Sequence, residues 1–254
     1  MTIKKVQGMI MLKSCKMQFK LKIINSEIFD RASDSYAKEV QDSIDFAGIE
    51  HDTFVKAKIN LLRMKSNSLN LKLNSSVLDV GCGNGLMHGE LARLGFKVTG
   101  IDVSSKSLER AKLMNPQCSY YHFDGTNIPF SSDEFDFAIS TCVYHHIQDI
   151  GQRKRLASET LRVLRNGGKF ALIEHNPLNL LTLIAVSRCE FDRDACLLRR
   201  SNSKNLLIDS GFHGVRGDYF MFIPHSSLLS RRIESWLAKL PIGTQYIVYG
   251  EKRG

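Results

Sequence analysis

No two of the six cysteines, at positions 15, 82, 118, 142, 189 and 196, form a C-x-x-C pair. A structural zinc site is therefore not expected, and without a secretory signal the cysteines should stay as thiols in a reducing, cytoplasmic compartment. Long apolar runs are missing too. Residues 1–25 hold nothing longer than Met9 to Leu12, too short for a signal-peptide core, and they lack the arginines of a transit peptide. Further on, Leu178 to Val186 is broken by Asn179 and Thr182 and falls short of the roughly 20 residues a membrane span needs. Residues 1–25 also contain no acid, and their six lysines account for six of the nine net positive charges. The rest of the chain is nearly balanced, so a nucleic-acid partner is not favoured.

What is present suits a single large α/β unit. The 254 residues are 43% hydrophobic and 24% charged, enough to bury a substantial core. The expected organisation is a basic extension over 1–25, with alternation at 17–23 fit for an edge strand, then one domain over 26–254. From residue 76 onward, β-branched runs alternate with helical patterns, the mark of βαβ units and a parallel sheet. The runs are Ser76 to Val80, Lys97 to Ile101, Ser119 to Phe123, Phe135 to Ser140 and Lys169 to Glu174. Two more strands are expected at Gly214 to Ile223 and Gln245 to Tyr249, around a helix near Leu228 to Lys239. A helix capped by Asp149 should run from Ile150 to Arg165 and stop at Gly167. Another, with Phe54, Ile59, Leu61 and Leu62 on its apolar face, covers 53–63. A mostly helical insert is expected at about 176–210.

The segment Val77 to Gly85, VLDVGCGNG, reads as a strand, a glycine loop and a helix from about Leu86. Glycines 81, 83 and 85 let the backbone turn sharply and approach a ligand. The dinucleotide fingerprint G-x-G-x-x-G fails at Leu86; the spacing is G-x-G-x-G. Asp79, in the strand itself, needs a polar ligand or a hydrogen-bond partner.

These residues resemble the class I S-adenosylmethionine-dependent methyltransferases, whose first motif is hydrophobic-D-x-G-x-G-x-G. The later segments IDVS, HFDGTNIPF, FDFAISTCVYHHI and LRVLRNGGKFALIEHNP follow the family's order and spacing. The resemblance extends from about Phe29 to Tyr249. It implies a doubly wound, Rossmann-like, seven-stranded sheet with the last strand antiparallel. It also implies S-adenosylmethionine as cofactor, with S-adenosylhomocysteine as product. Asp102 is then expected on the ribose hydroxyls and Asp124 on the adenine amino group. The cofactor set implied is Tyr36, Asp79, Gly81, Cys82, Gly83, Gly85, Asp102, Val103, Asp124, Gly125 and Thr141. Phe29, Arg31 and Tyr36 in FDRASDSY look like the entry segment of ubiquinone-biosynthesis-type, small-molecule (type 11-like) members. The stretch from Glu174 to Leu198 looks like a bacterial-type subgroup, departing from its second proline at Leu180.

Each site residue has a plainer reading. Asp124 also suits a turn before Gly125, and Cys82 and Cys142 suit buried, unreactive thiols. Histidines and acids beyond strand ends are placed where open α/β sheets bind ligands, so His145, Glu174 and His175 are the catalytic candidates, with His145 as general base near neutral pH. One histidine of the His145–His146 pair packing against the next helix is the alternative. No metal is expected, because TCVYHH lacks the clustered carboxylates of metal-dependent relatives. Phe191, Asp192 and Asp194 in the insert should shape an acceptor pocket. The expected reaction is methyl transfer to a small organic acceptor, at oxygen rather than nitrogen or carbon. An RNA methyltransferase and a non-catalytic scaffold are the alternatives; the missing N-P-P-aromatic element speaks against nucleic-acid bases. The sequence does not reveal the oligomeric state.

Overall fold

A computed structural model of the chain describes residues 30, 36–48, 50–221 and 239–254. The basic extension with its alternating stretch 17–23, Phe29, Arg31 and residues 228–238 lie outside the described residues.

Seven strands form one sheet: β1 (Ser76–Val80), β2 (Lys97–Asp102), β3 (Ser119–His122), β4 (Phe135–Thr141), β5 (Leu164–His175), β6 (His213–Phe220) and β7 (Gln245–Glu251). Their order is β3-β2-β1-β4-β5-β7-β6. The five strands β1 to β5 pair in parallel, while β7 is antiparallel to both β5 and β6. The helices are α1 (Tyr36–Ile44), α2 (His51–Met64), α3 (His88–Arg93), α4 (Ser105–Met114), α5 (Ile150–Val163), α6 (Leu180–Arg188) and α7 (Arg200–Asp209). This is the doubly wound, Rossmann-like sheet with an antiparallel last strand that the family resemblance implies.

Strand alternation sorts the core into two layers, because successive side chains point to opposite faces. Leu78, Val80, Phe170, Leu172, Tyr246 and Val248 pack on one face with Leu156 and Val163 of α5. Val77, Ala171, Ile173 and Ile247 pack on the other with Ile59, Leu61 and Leu62 of α2. The face predicted for 53–63 is thus the one α2 buries. Deleting a fully buried ring such as Phe170 would cost about 3–5 kcal/mol.

Two boundaries differ from expectation. Asp149 does cap α5, its side chain accepting from the Gln152 amide at 2.7 Å. The helix nonetheless ends at Val163, because Leu164 is already extended (ψ 144°) and pairs with Phe135, with a register shift following in β4. Downstream of the glycine loop, helix geometry starts at His88 rather than Leu86, and α3 has only six residues. The stretch 176–210 holds α6 and α7, of which α7 packs against β6, β7 and α5.

Candidate active site

The C-terminal ends of β1, β2, β4 and β5 lie along one sheet edge, and the start of antiparallel β7 joins them there through the pairing of His175 with Gln245. In an open α/β sheet this edge is where ligands bind. Two cavities open onto it. The first, about 1150 Å³, is bounded by the glycine loop, Asp102, Val103, Phe123 and Gly125. The second, about 880 Å³, lies among α1, α2, α6 and the ends of β4, β5 and β7. Five residues border both: His51, Lys58, Cys142, His146 and Phe191.

Around the first cavity the backbone sets the geometry. Gly81 turns at φ +77°, and the Gly81 and Cys82 amides both donate to the Ile101 carbonyl, at 2.8 and 3.0 Å. A Cβ on Gly81 would meet Val143 Cγ2 at 2.5 Å, so only glycine fits. Asp102, at the end of β2, accepts from the Gly83 amide at 2.8 Å and the Ser104 amide at 2.9 Å. Burial pushes its carboxyl above the ordinary range despite these bonds. Asp79 finds its partner in His88, at 3.0 Å, and His88 in turn meets the Tyr120 hydroxyl at 2.9 Å. The far oxygen of Asp79 and the Thr141 hydroxyl are buried without a hydrogen-bond partner, and both residues border the cavity. Orphaned polar atoms on a cavity wall are what a polar ligand would satisfy.

Of the sequence-derived cofactor residues, Asp79, Gly81, Cys82, Gly83, Asp102, Val103, Gly125 and Thr141 converge on this cavity. Gly85 does not border it: a Cβ there would come within 3.1 Å of Ala111, His88 and Tyr120, so its smallness serves packing. Asp124 is exposed, and its oxygens accept from the Thr126 amide and from the Asn127 amide and side chain, which is the turn geometry. Tyr36 opens α1, and its side chain is outside the described residues. The Cys82 thiol is pushed well up by burial and by Asp102 and Asp79, which keeps it protonated.

The second cavity is built by charge. His145, only 1% exposed, places Nδ1 2.5 Å from Glu174 Oε2. Glu174, fully buried, also accepts from the Val143 and Tyr144 amides, at 3.1 and 2.8 Å. Asp192 reaches in from the loop after α6, with Oδ1 3.4 Å from His145 Nε2 and 3.5 Å from His146 Nε2. Burial alone would pull His145 down, but Glu174 and Asp192 outweigh it and hold it well above its ordinary value. An imidazole held protonated in this way cannot accept a proton as it stands. His146 is the opposite case, drawn down to about 3 by burial and by the neighbouring charge of His145.

Cys142 differs from Cys82. It sits at φ +57°, with Sγ 3.6 Å from Gln245 Nε2 and 3.9 Å from Lys58 Nζ. Burial raises its thiol, but His175 and Lys58 more than offset this and leave it below the ordinary value. The sequence reading missed His88 as the partner of Asp79, and it missed Lys58, His51 and Gln245. The spacing of Asp79 and His88 across the loop was the available signal for the first; the others carry none.

The family profile described as "Methyltransferase domain" matches residues 78–172. An uncharacterised methyltransferase of Synechocystis is 35% identical over 153 residues, covering 59% of this chain and 72% of that protein. A tRNA (carboxymethyluridine(34)-5-O)-methyltransferase of Saccharomyces cerevisiae is 36% identical over 97 residues, but the match spans only 34% of its length and 38% of this chain. Among solved structures, a possible histamine N-methyltransferase of Thermotoga maritima superposes with a TM-score of 0.64 at 17% identity, over 89% of this chain and 99% of that one. The chain belongs to the class I S-adenosylmethionine-dependent methyltransferases. S-adenosylmethionine is accordingly its cofactor.

Proposed function

We propose that this protein transfers the methyl group of S-adenosylmethionine to an oxygen of a small organic acceptor seated in the second cavity. The carrying observation is that two separate cavities, one walled by a glycine loop and an acid and the other by histidines, share the wall formed by Lys58, Cys142, His146 and Phe191. A donor and an acceptor bound one in each would meet there.

In this reading Asp102 holds the ribose hydroxyls, since both its oxygens keep lone pairs after accepting the two amides. Thr141 and the free oxygen of Asp79 take polar groups further along the cofactor. Gly125 and Val103 line the adenine end; Asp124, whose carboxylate is engaged in its own turn, does not border the cavity. When bound, the cofactor supplies a methyl group on a sulfonium, a good leaving group that needs alignment and exclusion of water more than it needs activation. The apolar side chains of α1 and α6, with Phe191, exclude water from the acceptor side. His145 and His175 border the acceptor, and Glu174 positions His145 through Nδ1.

Titration of the purified protein with S-adenosylmethionine and S-adenosylhomocysteine, with NAD as control, tests the cofactor half. Micromolar binding of the first two and none of NAD is expected, after which labelled methyl donor screens acceptors. Absence of binding by a folded chain would sink the reading. A second reading, an RNA acceptor, draws on the similarity to the yeast tRNA enzyme. RNA binding that falls steeply with salt would favour it.

A further inference from the structure

We propose that His145, His146 and Asp192 form a binding site for a divalent transition metal, zinc by its donor set, at the wall of the second cavity. Glu174 orients the first ligand, and an acceptor oxygen takes the open position.

The ligand atoms of these three residues lie within 4.8 Å of one another, and they are the group of that kind among the described residues. Two of the three separations can be compared with what a metal requires. A tetrahedral zinc with nitrogen and oxygen ligands at about 2.0–2.1 Å has ligand–ligand edges of about 3.3–3.4 Å. An octahedral ion at a similar bond length needs edges of about 3.0 Å. The observed edges from Asp192 Oδ1 are 3.4 Å to His145 Nε2 and 3.5 Å to His146 Nε2. Both are long for a hydrogen bond and right for two edges of a tetrahedron.

The surroundings agree. A metal-binding histidine usually hands its other ring nitrogen to a carboxylate, which fixes the ring and leaves the outer nitrogen's lone pair for the ion. His145 hands Nδ1 to Glu174 at 2.5 Å, and Glu174 is itself fixed by the Val143 and Tyr144 amides, so an ion would take the Nε2 position by displacing the proton that the charged ring carries there. The rings of His145 and His146 pack with centroids 4.1 Å apart and tilted by 50°. His145, His146 and Asp192 all border the second cavity, so an ion held by the three would lie at its wall. A closed site would read as structural; three protein ligands with one open position is the catalytic arrangement.

The sequence pattern gave no warning of this, because the carboxylate does not follow β4. It arrives from the loop after α6, which the sheet brings over the strand ends. An acceptor hydroxyl in the open position would be made more acidic by the ion and would release its proton to water at the cavity mouth. A neutral alcohol or phenol-type acceptor fits this chemistry. That role rests on the methyltransferase reading, whereas metal binding does not.

The test uses the full chain, stripped with a chelator and dialysed, then titrated with zinc chloride by calorimetry. Cobalt chloride serves as a spectroscopic probe of tetrahedral geometry. Wild type should take up one equivalent and give a tetrahedral cobalt spectrum. Asp192→Asn and His146→Ala should each weaken zinc at least about a hundred-fold, and Glu174→Gln about 10- to 100-fold, with S-adenosylhomocysteine binding unchanged in Asp192→Asn and Glu174→Gln, whose side chains do not border the first cavity. Circular dichroism identifies any variant that fails to fold, and the conservative Asp192→Asn decides in that event. No zinc uptake by the folded wild type overturns the site. So does equal uptake by wild type and Asp192→Asn, which would place the ion on cysteines elsewhere. Site-specific zinc without any cofactor binding would uphold the metal site and overturn its role toward an acceptor.

Discussion

The two cavities are made by different means. Around the first cavity the shape comes from backbone: positive-φ glycines, amides turned onto the Ile101 carbonyl, and one carboxylate that accepts two further amides. Around the second cavity it comes from side chains, with the Glu174 and Asp192 carboxylates on either side of the charged His145 ring, at 2.5 and 3.4 Å, and the neutral His146 beside them. A backbone-built site depends on a few positions that no other residue can fill. A charge-built site depends on pairs, and removing one member leaves the other buried and unpaired.

Substitutions can break that comparison at either end. The largest effect is expected for His145→Ala, which should slow methyl transfer by about a hundred-fold, through loss of a group that positions the acceptor, while leaving S-adenosylhomocysteine binding within about two-fold of wild type. Because it strands the Glu174 carboxylate, His145→Gln is the companion variant that keeps an amide donor in place. Equal turnover in both variants and wild type would return His145 to a packing role. Next comes Asp102→Ala, expected to weaken cofactor binding about a hundred-fold, as losing charged hydrogen bonds worth roughly 3 kcal/mol would do. Unchanged affinity in a calorimetric titration would remove Asp102 from the site.

Gly81→Ala should destabilise the fold by about 1–3 kcal/mol, through its φ of +77° and the clash with Val143. Adding Val143→Ala should restore part of that in a urea melt, and no restoration would mean that the backbone angle alone matters. The smallest effect lies far from the site. Burial would raise Asp218, but Lys239 and Lys65 hold its carboxyl below the ordinary range. Its stabilisation is therefore present above the unfolded carboxylate range and lost as pH falls through the lowered folded value. Asp218→Asn should cost on the order of 1 kcal/mol at neutral pH, with the gap to wild type closing in acid. A gap that persists unchanged at pH 3, roughly, would rule out the linkage.

The difference between the cavities also explains what could be read in advance. Five β-runs were placed from residue 76 with first residues matching those of β1 to β4, because strand pattern and turn chemistry are local. The glycine loop and Asp102 were legible for the same reason: the turn itself demands those residue types. Asp124 was ambiguous, since one aspartate before Gly125 suits a ligand and a turn equally, and only the three hydrogen bonds within the turn show how it is used. The end of α5 was missed because helical spacing continues into Leu164, while sheet pairing with Phe135 takes that residue. Asp192 was expected to shape the acceptor pocket, but its approach to His145 and His146 is a tertiary fact. No period or spacing encodes it.

The position of β7 has a consequence for how the molecule is made. Although last in sequence among the strands, it lies between β5 and β6, with Tyr246, Ile247 and Val248 wholly buried. Among the described strands, β6 has no hydrogen-bonded neighbour except β7. During synthesis, β1 to β5 can assemble in the order they emerge, but β6 must wait, its edge unpaired, until residues 245–251 follow. A nascent chain halted between residues 220 and 245, roughly, would carry an open strand edge with buried-type side chains in water, the kind of species that chaperones hold.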